Sequence, residues 1–247
     1  MYKQPIAGVV WPASLQQLSF GDSFNQSIAE VVWPASLQLL STDWMLNQPV
    51  AEVLWPVSLQ RLSFGWAFDQ PIAEVVWPLP LQQLSFGSGF NRSIAGVVWP
   101  ASLQQLSLGS HFNQSIVGVV WPASLQQLSF HWKFIQFIAG VVWPASLQQL
   151  SFGDYFNQPI AEVVWPAYLK AAIVWASLQP THHRSRVTGL PAAAILRGLL
   201  QTTHHRNRVA RLLTKCDSWR TSLAVTAVEP RSLVVWVLFL AKKNKGG

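Results

Sequence analysis

Two histidine pairs, His182-His183 and His204-His205, stand at equivalent positions of two successive THHR segments. Paired imidazoles with a second pair nearby are the kind of ligand set from which a tetrahedral zinc site is built. No cysteine or carboxylate framework accompanies them, so no metal site is assigned and no cofactor is implied. The neighbouring arginines, Arg184, Arg186, Arg197, Arg206, Arg208 and Arg211, can neutralise phosphates. That stretch has few aromatic residues to stack on bases, so nucleic-acid contact beyond the non-specific is not expected. Ser19, Ser41 and Ser63 offer hydroxyls, yet equivalents recur throughout the repeat array, which marks them as lattice positions rather than nucleophiles. His111 and His131 are single histidines beside turns. No nucleophile with its base, no paired carboxylates and no phosphate loop emerge, so the chain is read as non-enzymatic.

The elements that carry these residues are set by a repeat. Trp-Pro recurs at Trp11, Trp33, Trp55, Trp77, Trp99, Trp121, Trp143 and Trp165, always at the same spacing. A fixed period of this size is the mark of a solenoid, in which each unit buries its apolar face against its neighbours. Within a unit Leu15, Leu18 and Phe20 follow an L-x-x-L-x-(L/F) spacing, as do Leu103, Leu106 and Leu108. The alternation in LQQLSF puts Leu18 and Phe20 on one face and Gln17 and Ser19 on the other, which predicts a short strand. Gly21, Gly65, Gly87, Gly109 and Gly153 let the chain turn away after it, and the proline after each tryptophan argues against a long helix. The fold expected is an all-β, leucine-rich-repeat-like solenoid with one short strand per 22-residue coil.

Two ladders are expected to run through the stack. One is aromatic: Phe24, Leu46, Phe68, Phe90, Phe112, Phe134 and Phe156. The other is built of amides and a carboxylate, Asn25, Asn47, Asp69, Asn91 and Asn113, broken at Ile135 and resumed at Asn157. Buried there, each side chain would satisfy backbone groups of the adjacent coil. The pattern LP-x-SL-x-x-L-x-(L/F)-G-x-x-FNQP(I/L), present as WPASLQQLSFGDYFNQPI at residues 143–160, resembles the FNIP repeat, a relative of the leucine-rich repeat. Tryptophan stands where that family usually has leucine or isoleucine before proline. The resemblance covers residues 2 to about 169. It implies the same solenoid and at most a protein-interaction role, and it brings no catalytic residues.

Composition divides the chain at the same place. Residues 1–169 carry four basic and eight acidic residues, whereas residues 170–247 carry thirteen and two. The single cysteine, Cys216, excludes an internal disulfide framework and favours a reducing compartment. With no secretory signal visible, the default is cytoplasmic. The apolar run Leu233–Ala241 is too short for a spanning helix. The first residues, Tyr2 to Ile6, align with Phe24 to Ile28, so the solenoid is expected to begin inside a coil. An uncapped edge of that kind favours end-to-end self-association.

After residue 170 the consensus stops, and an irregular, partly helical or disordered segment is expected. The period nevertheless persists: THHRSRV at 181–187 returns as THHRNRV at 203–209, and Ala171-Ala172-Ile173 as Ala193-Ala194-Ile195. Translating the repeat consensus from the third codon base accounts for this. Between Ala171 and Leu212 only Ala176, Ser177, His183, His205 and Asn207 are incompatible with that shifted frame. The basic balance, His182 and His204 are then by-products of the code.

A partner needs varied residues, and the strand face is nearly uniform. Variation concentrates just after each strand, where Trp44, Trp66, His111, Trp132, Lys133 and Tyr155 form the candidate interaction edge. Three readings follow. The first is a scaffold that binds another protein. The second is a product of a decayed or mispredicted repeat gene without selected activity. The third is nucleic-acid or membrane association through the basic segment. The frame reading has a direct test: the nucleotides encoding residues 171–212, translated one frame over, should restore WPASLQQLSF-type units, and unrelated peptide there would contradict it.

Overall fold

Each repeat unit closes into one three-sided coil, and each corner is made the same way. In the second unit the Phe24 N–H donates to the Gly21 carbonyl at 3.0 Å, Val31 to Ile28 at 3.4 Å and Leu37 to Pro34 at 3.1 Å. These are turn bonds linking positions i and i+3. They recur from unit to unit, as in Phe68 to Gly65, Val75 to Ile72 and Leu81 to Pro78. The computed structural model describes residues 6–169 except residue 161, together with the backbone of 171–175 and 194–197.

The first side of each coil is a strand: β1 Gln17–Phe20, β2 Leu39–Thr42, β3 Arg61–Ser63, β4 Gln83–Ser85, β5 Gln105–Ser107, β6 Gln127–Ser129 and β7 Gln149–Phe152. β8 Ala171–Trp175 and β9 Ala194–Arg197 follow. All nine form one parallel sheet in sequence order. Every pair has the same offset, with Gln83 opposite Gln105 and Leu84 opposite Leu106. Among the described residues there is no helix. The sheet runs past residue 169, so two segments of the C-terminal third are strands. β7 would otherwise present unpaired N–H and C=O groups, and β8, Ala-Ala-Ile-Val-Trp, has the β-branched residues that suit that edge. The histidine pairs, Arg184, Arg186, Arg206, Arg208, Arg211 and the apolar run lie outside the described residues. So does the rest of the irregular segment expected there.

The core is a set of rows, one residue per coil. Leu40, Leu62, Leu84, Leu106, Leu128 and Leu150 point inward from the strands, while the residues on either side face out. The expected aromatic ladder is present: Phe90, Phe112, Phe134 and Phe156 are buried, and their rings stack at 6.0–6.1 Å. Offset stacking of this kind adds to the burial of ring area. Within a coil the row also meets the phenylalanine at the strand end, with Phe64 and Phe68 at 4.0 Å. The tryptophans form an inner row as well, Trp55 on Trp77 at 6.2 Å and Trp121 on Trp143 at 6.4 Å. The strand-end rings are closer, Phe64 to Phe86 at 5.5 Å and Phe130 to Phe152 at 5.4 Å. Rows that widen away from the sheet bend the stack with the strands inside.

One core position departs from its row. Thr42 stands where Phe20 and Phe64 stand in the flanking coils, and it is buried. Its hydroxyl accepts the Gly65 N–H at 3.2 Å, so the polar atom is satisfied. At the first corner successive coils nearly touch. A Cβ at Gly109 would overlap the Gly87 carbonyl oxygen, so that coil needs glycine where two others carry Asp43 and His131.

The amide ladder also exists, but at the surface rather than buried. Asn25 Oδ1 accepts the Asn47 N–H, Asn47 Oδ1 that of Asp69, and Asp69 Oδ1 that of Asn91, each at 2.9 Å. Asn91 and Asn113 continue it to Asn113 and Ile135 at 2.8 and 3.0 Å. Asn25, Asn47 and Asn91 are exposed because the residue after each buried phenylalanine or leucine points away from the core. The chain of bonds ends at Ile135, which has no acceptor. A third row runs at the last corner, where Ser58, Ser124 and Ser146 donate to the carbonyls of Leu37, Leu103 and Leu125 at 2.8, 2.6 and 2.7 Å. Pro80 interrupts it.

The break in the amide ladder gives a prediction. Ile135 is 42% exposed, so replacing it sacrifices little burial, and Ile135→Asn supplies the missing acceptor for the Asn157 N–H. The substitution is expected to raise unfolding stability by about 0.5–1.5 kcal/mol, read as a higher urea midpoint at unchanged slope. An unchanged or lower midpoint would contradict the ladder's role.

Candidate functional site: the aromatic first corner

The corner after each strand is backbone-pinned and side-chain-variable. The Ala67 N–H donates to the Trp44 carbonyl at 2.8 Å, Gly89 to Trp66 at 2.7 Å, His111 to Ser88 at 2.9 Å and Lys133 to Ser110 at 3.0 Å. These bonds extend the inter-coil ladder one step beyond the strands. The side chains they leave outside are not needed by the core, which is why their types vary.

Three of the six edge residues come together. Trp44 and Trp66 stack with ring centroids 5.4 Å apart and planes 15° from parallel. They remain 53% and 45% exposed. The next coil carries only Ser88 and Gly89 at the corner, so nothing large fills the gap. His111 reaches back across it and meets Trp66 edge-on, with centroids 6.5 Å apart and planes at 88°. Its Nδ1 lies 2.7 Å from the Ser88 carbonyl, which fixes that nitrogen as the protonated one when the ring is neutral. Trp132 and Tyr155, both 61% exposed, and Lys133 lie further along the same edge and do not join this cluster. The patch is a stacked indole pair, walled by an imidazole on one side.

His131 precedes the variable pair in the sixth coil, in place of the usual glycine. Its Nε2 lies 3.1 Å from the Ser107 hydroxyl, and desolvation holds its pKa below the ordinary value of 6.5. On the other surface, a shallow groove follows the strands, lined by Gln83, Gln105, Ser85 and Ser107 among others. Its residues repeat from coil to coil and discriminate little. Among the described residues no three histidine, cysteine, aspartate or glutamate side chains gather to hold a metal. No helix among them is long and apolar enough to cross a membrane.

Comparison with known proteins fits this geometry. The family model of the FNIP Repeat matches residues 2–41 and 90–133. This is the family that the repeat pattern resembles. No curated protein matches the chain. Among solved structures, a circular leucine-rich-repeat protein, CroV588, is 34% identical with a TM-score of 0.56 over 68% of this chain. The chain spans 31% of the length of that protein. FNIP repeats and leucine-rich-repeat-like solenoids are typically scaffolds without catalytic activity.

The edge was legible in the sequence because its residues vary inside an otherwise uniform repeat. Which members meet was not, since the Trp66–His111 contact spans a coil and depends on Gly89 being small. A second feature went unread. The outer valine of each VVWP segment, from Val10 to Val164, points into solvent, and its signal was the strict alternation Val31 in, Val32 out, Trp33 in.

His131 yields a pH prediction. The unfolded chain titrates at the ordinary imidazole value and the folded one below it. Protons therefore bind the unfolded state more readily as pH falls. The stability contributed by neutral His131 is complete above 6.5 and lost as pH drops from there through the lowered folded value. His131→Gln is expected to flatten this part of the stability profile between pH 7 and 5 relative to the parent. Parallel profiles for the two chains would contradict it.

Proposed function

We propose that this FNIP solenoid is a non-enzymatic scaffold that binds another protein through its first corner, with Trp44, Trp66 and His111 as the centre of the contact. The observation that carries the reading is the stacked, half-exposed tryptophan pair on a hydrogen-bonded backbone. Exposed tryptophan is the residue type most enriched at interface hot spots. Holding two of them in place before binding lowers the ordering cost of association. Trp132, Lys133 and Tyr155 extend the same edge and would add rim contacts. In this reading residues 1–169 are the working unit, and the basic segment from residue 170 contributes only non-specific charge.

The test is site-specific photocrosslinking in the native cell, with the crosslinker at position 67 beside the pair and, as a control, at position 105 on the strand face. A discrete partner is expected from the corner only. Trp44→Ser with Trp66→Ser should weaken its binding at least tenfold while leaving the melting transition in place, since each hot-spot residue is worth about 2 kcal/mol or more. Equal crosslinking from both faces, or undiminished affinity in the double variant, would overturn the assignment.

A further inference from the structure

The third side of each coil carries one outward row. Val32, Leu54, Val76, Val98, Val120, Val142 and Val164 are 78–83% exposed, coil after coil, at the same phase. Their neighbours in sequence, such as Val75 and Trp77, are buried, so the row is the whole surface of that side. The two corners that bound it are not uniform. The corner before the row reads Gly8, Glu30, Glu52, Glu74, Gly96, Gly118, Gly140 and Glu162. The corner after it reads Ala13, Ala35, Val57, Leu79, Ala101, Ala123, Ala145 and Ala167. Val57 and Leu79, 76% and 83% exposed, make the apolar surface widest at mid-stack.

We infer that this side is where a second copy of the chain docks, antiparallel, about a dyad between Val76 and Val98. A dyad across the row sets the coil of Val76 against that of Val98, Leu54 against Val120 and Val32 against Val142. The bounding corners then meet their own kind in reverse order. Within the middle of the stack Glu74 faces Gly96 and Glu52 faces Gly118, so no acidic residue meets another. On the other corner Leu79 faces Ala101 and Val57 faces Ala123, large against small. Two independent rows thus satisfy the same symmetry operation, and an isologous contact requires that kind of self-complementarity. The rung spacing adds a further reason, because a partner must repeat at the coil pitch to match successive side chains, and a second copy does so by construction.

The bend of the stack limits the contact to its middle. Leu54, Val57, Val76, Leu79, Val98 and Val120 offer on the order of 100 Å² each. That is roughly 600 Å² per chain, below the standard of about 800 Å² per partner and appropriate to a reversible dimer. This side is separate from the first corner, so the inference does not rest on the proposed partner-binding edge.

Sedimentation equilibrium of the full chain is expected to show a monomer of 27.6 kDa in exchange with a species of twice that mass, with no larger series. Val76→Lys and Val98→Glu, both at exposed positions, should each leave the chain monomeric at concentrations where the parent is mostly dimer. Mixing the two variants should restore the dimer, because only the antiparallel register sets position 76 of one chain against position 98 of the other. A parent still monomeric at about 100 µM, a concentration that populates even weak dimers, would overturn the proposal. So would a dimer indifferent to both substitutions, or no restoration on mixing. An open-ended series of larger species would also overturn it, in favour of end-to-end stacking.

Discussion

The hydrogen bonds between parallel strands one repeat unit apart govern the rest of this molecule. A parallel pair cannot be joined by a tight hairpin, so each connection must travel around a coil before the next strand. Here the connection takes up most of the unit, folded at three corners by turns that each use one backbone hydrogen bond. With the offset constant, every residue type sits above itself. Phenylalanine then stacks on phenylalanine, tryptophan on tryptophan, and an asparagine carbonyl oxygen reaches the backbone N–H one coil on. A single inserted residue would put each row out of phase, which explains why no insertion appears between Trp11 and Trp165.

The same constraint separates the positions that must stay fixed within the array from those that are free. Inward rows are apolar and nearly uniform, and where they vary, as at Thr42, the substitute satisfies its own hydrogen bond. Tryptophan in place of an aliphatic residue comes with a cost. The indole N–H groups from Trp33 to Trp143 are buried without an acceptor, and a buried donor left unpaired is unfavourable. Their ring area and their stacking must outweigh that loss. Outward rows carry no such demand, and it is there that the tryptophan pair, the valine row and the Glu/Gly corner appear. The outward rows are therefore the surface open to a partner.

Much of this architecture was legible from residue types alone. The alternation in LQQLSF gave the strand and its two faces, and the run from Asn25 to Asn113 gave the ladder together with its break at Ile135. The ladder's depth was not legible, because an amide that bonds to the next coil is chemically the same whether it faces solvent or core. The serine row at Ser58 and Ser124 was not legible for a related reason: a recurring hydroxyl at a corner looks like surface. The continuation into β8 and β9 was hidden by the change of composition after Lys170, although the period itself survived in Ala172, which pairs with Leu150 across that boundary and with Ala194 beyond it. At the first corner, sequence variation identified the edge but not the cluster, since the Trp66–His111 contact depends on the absence of a side chain at Gly89 between them.

The claim on which the account stands is the stacking of seven in-phase strands, and a distance across the stack tests it most directly. Spin labels at Gln17 and Gln149, placed in a chain with Cys216 changed to serine, lie on the outward face of β1 and β7, six steps apart in one sheet. Strands spaced by about 4.8 Å place the two positions roughly 29 Å apart, so pulsed electron resonance should give a narrow distribution near that distance. A broad distribution, or one centred more than about 10 Å away from the sheet spacing's sum, would contradict the solenoid.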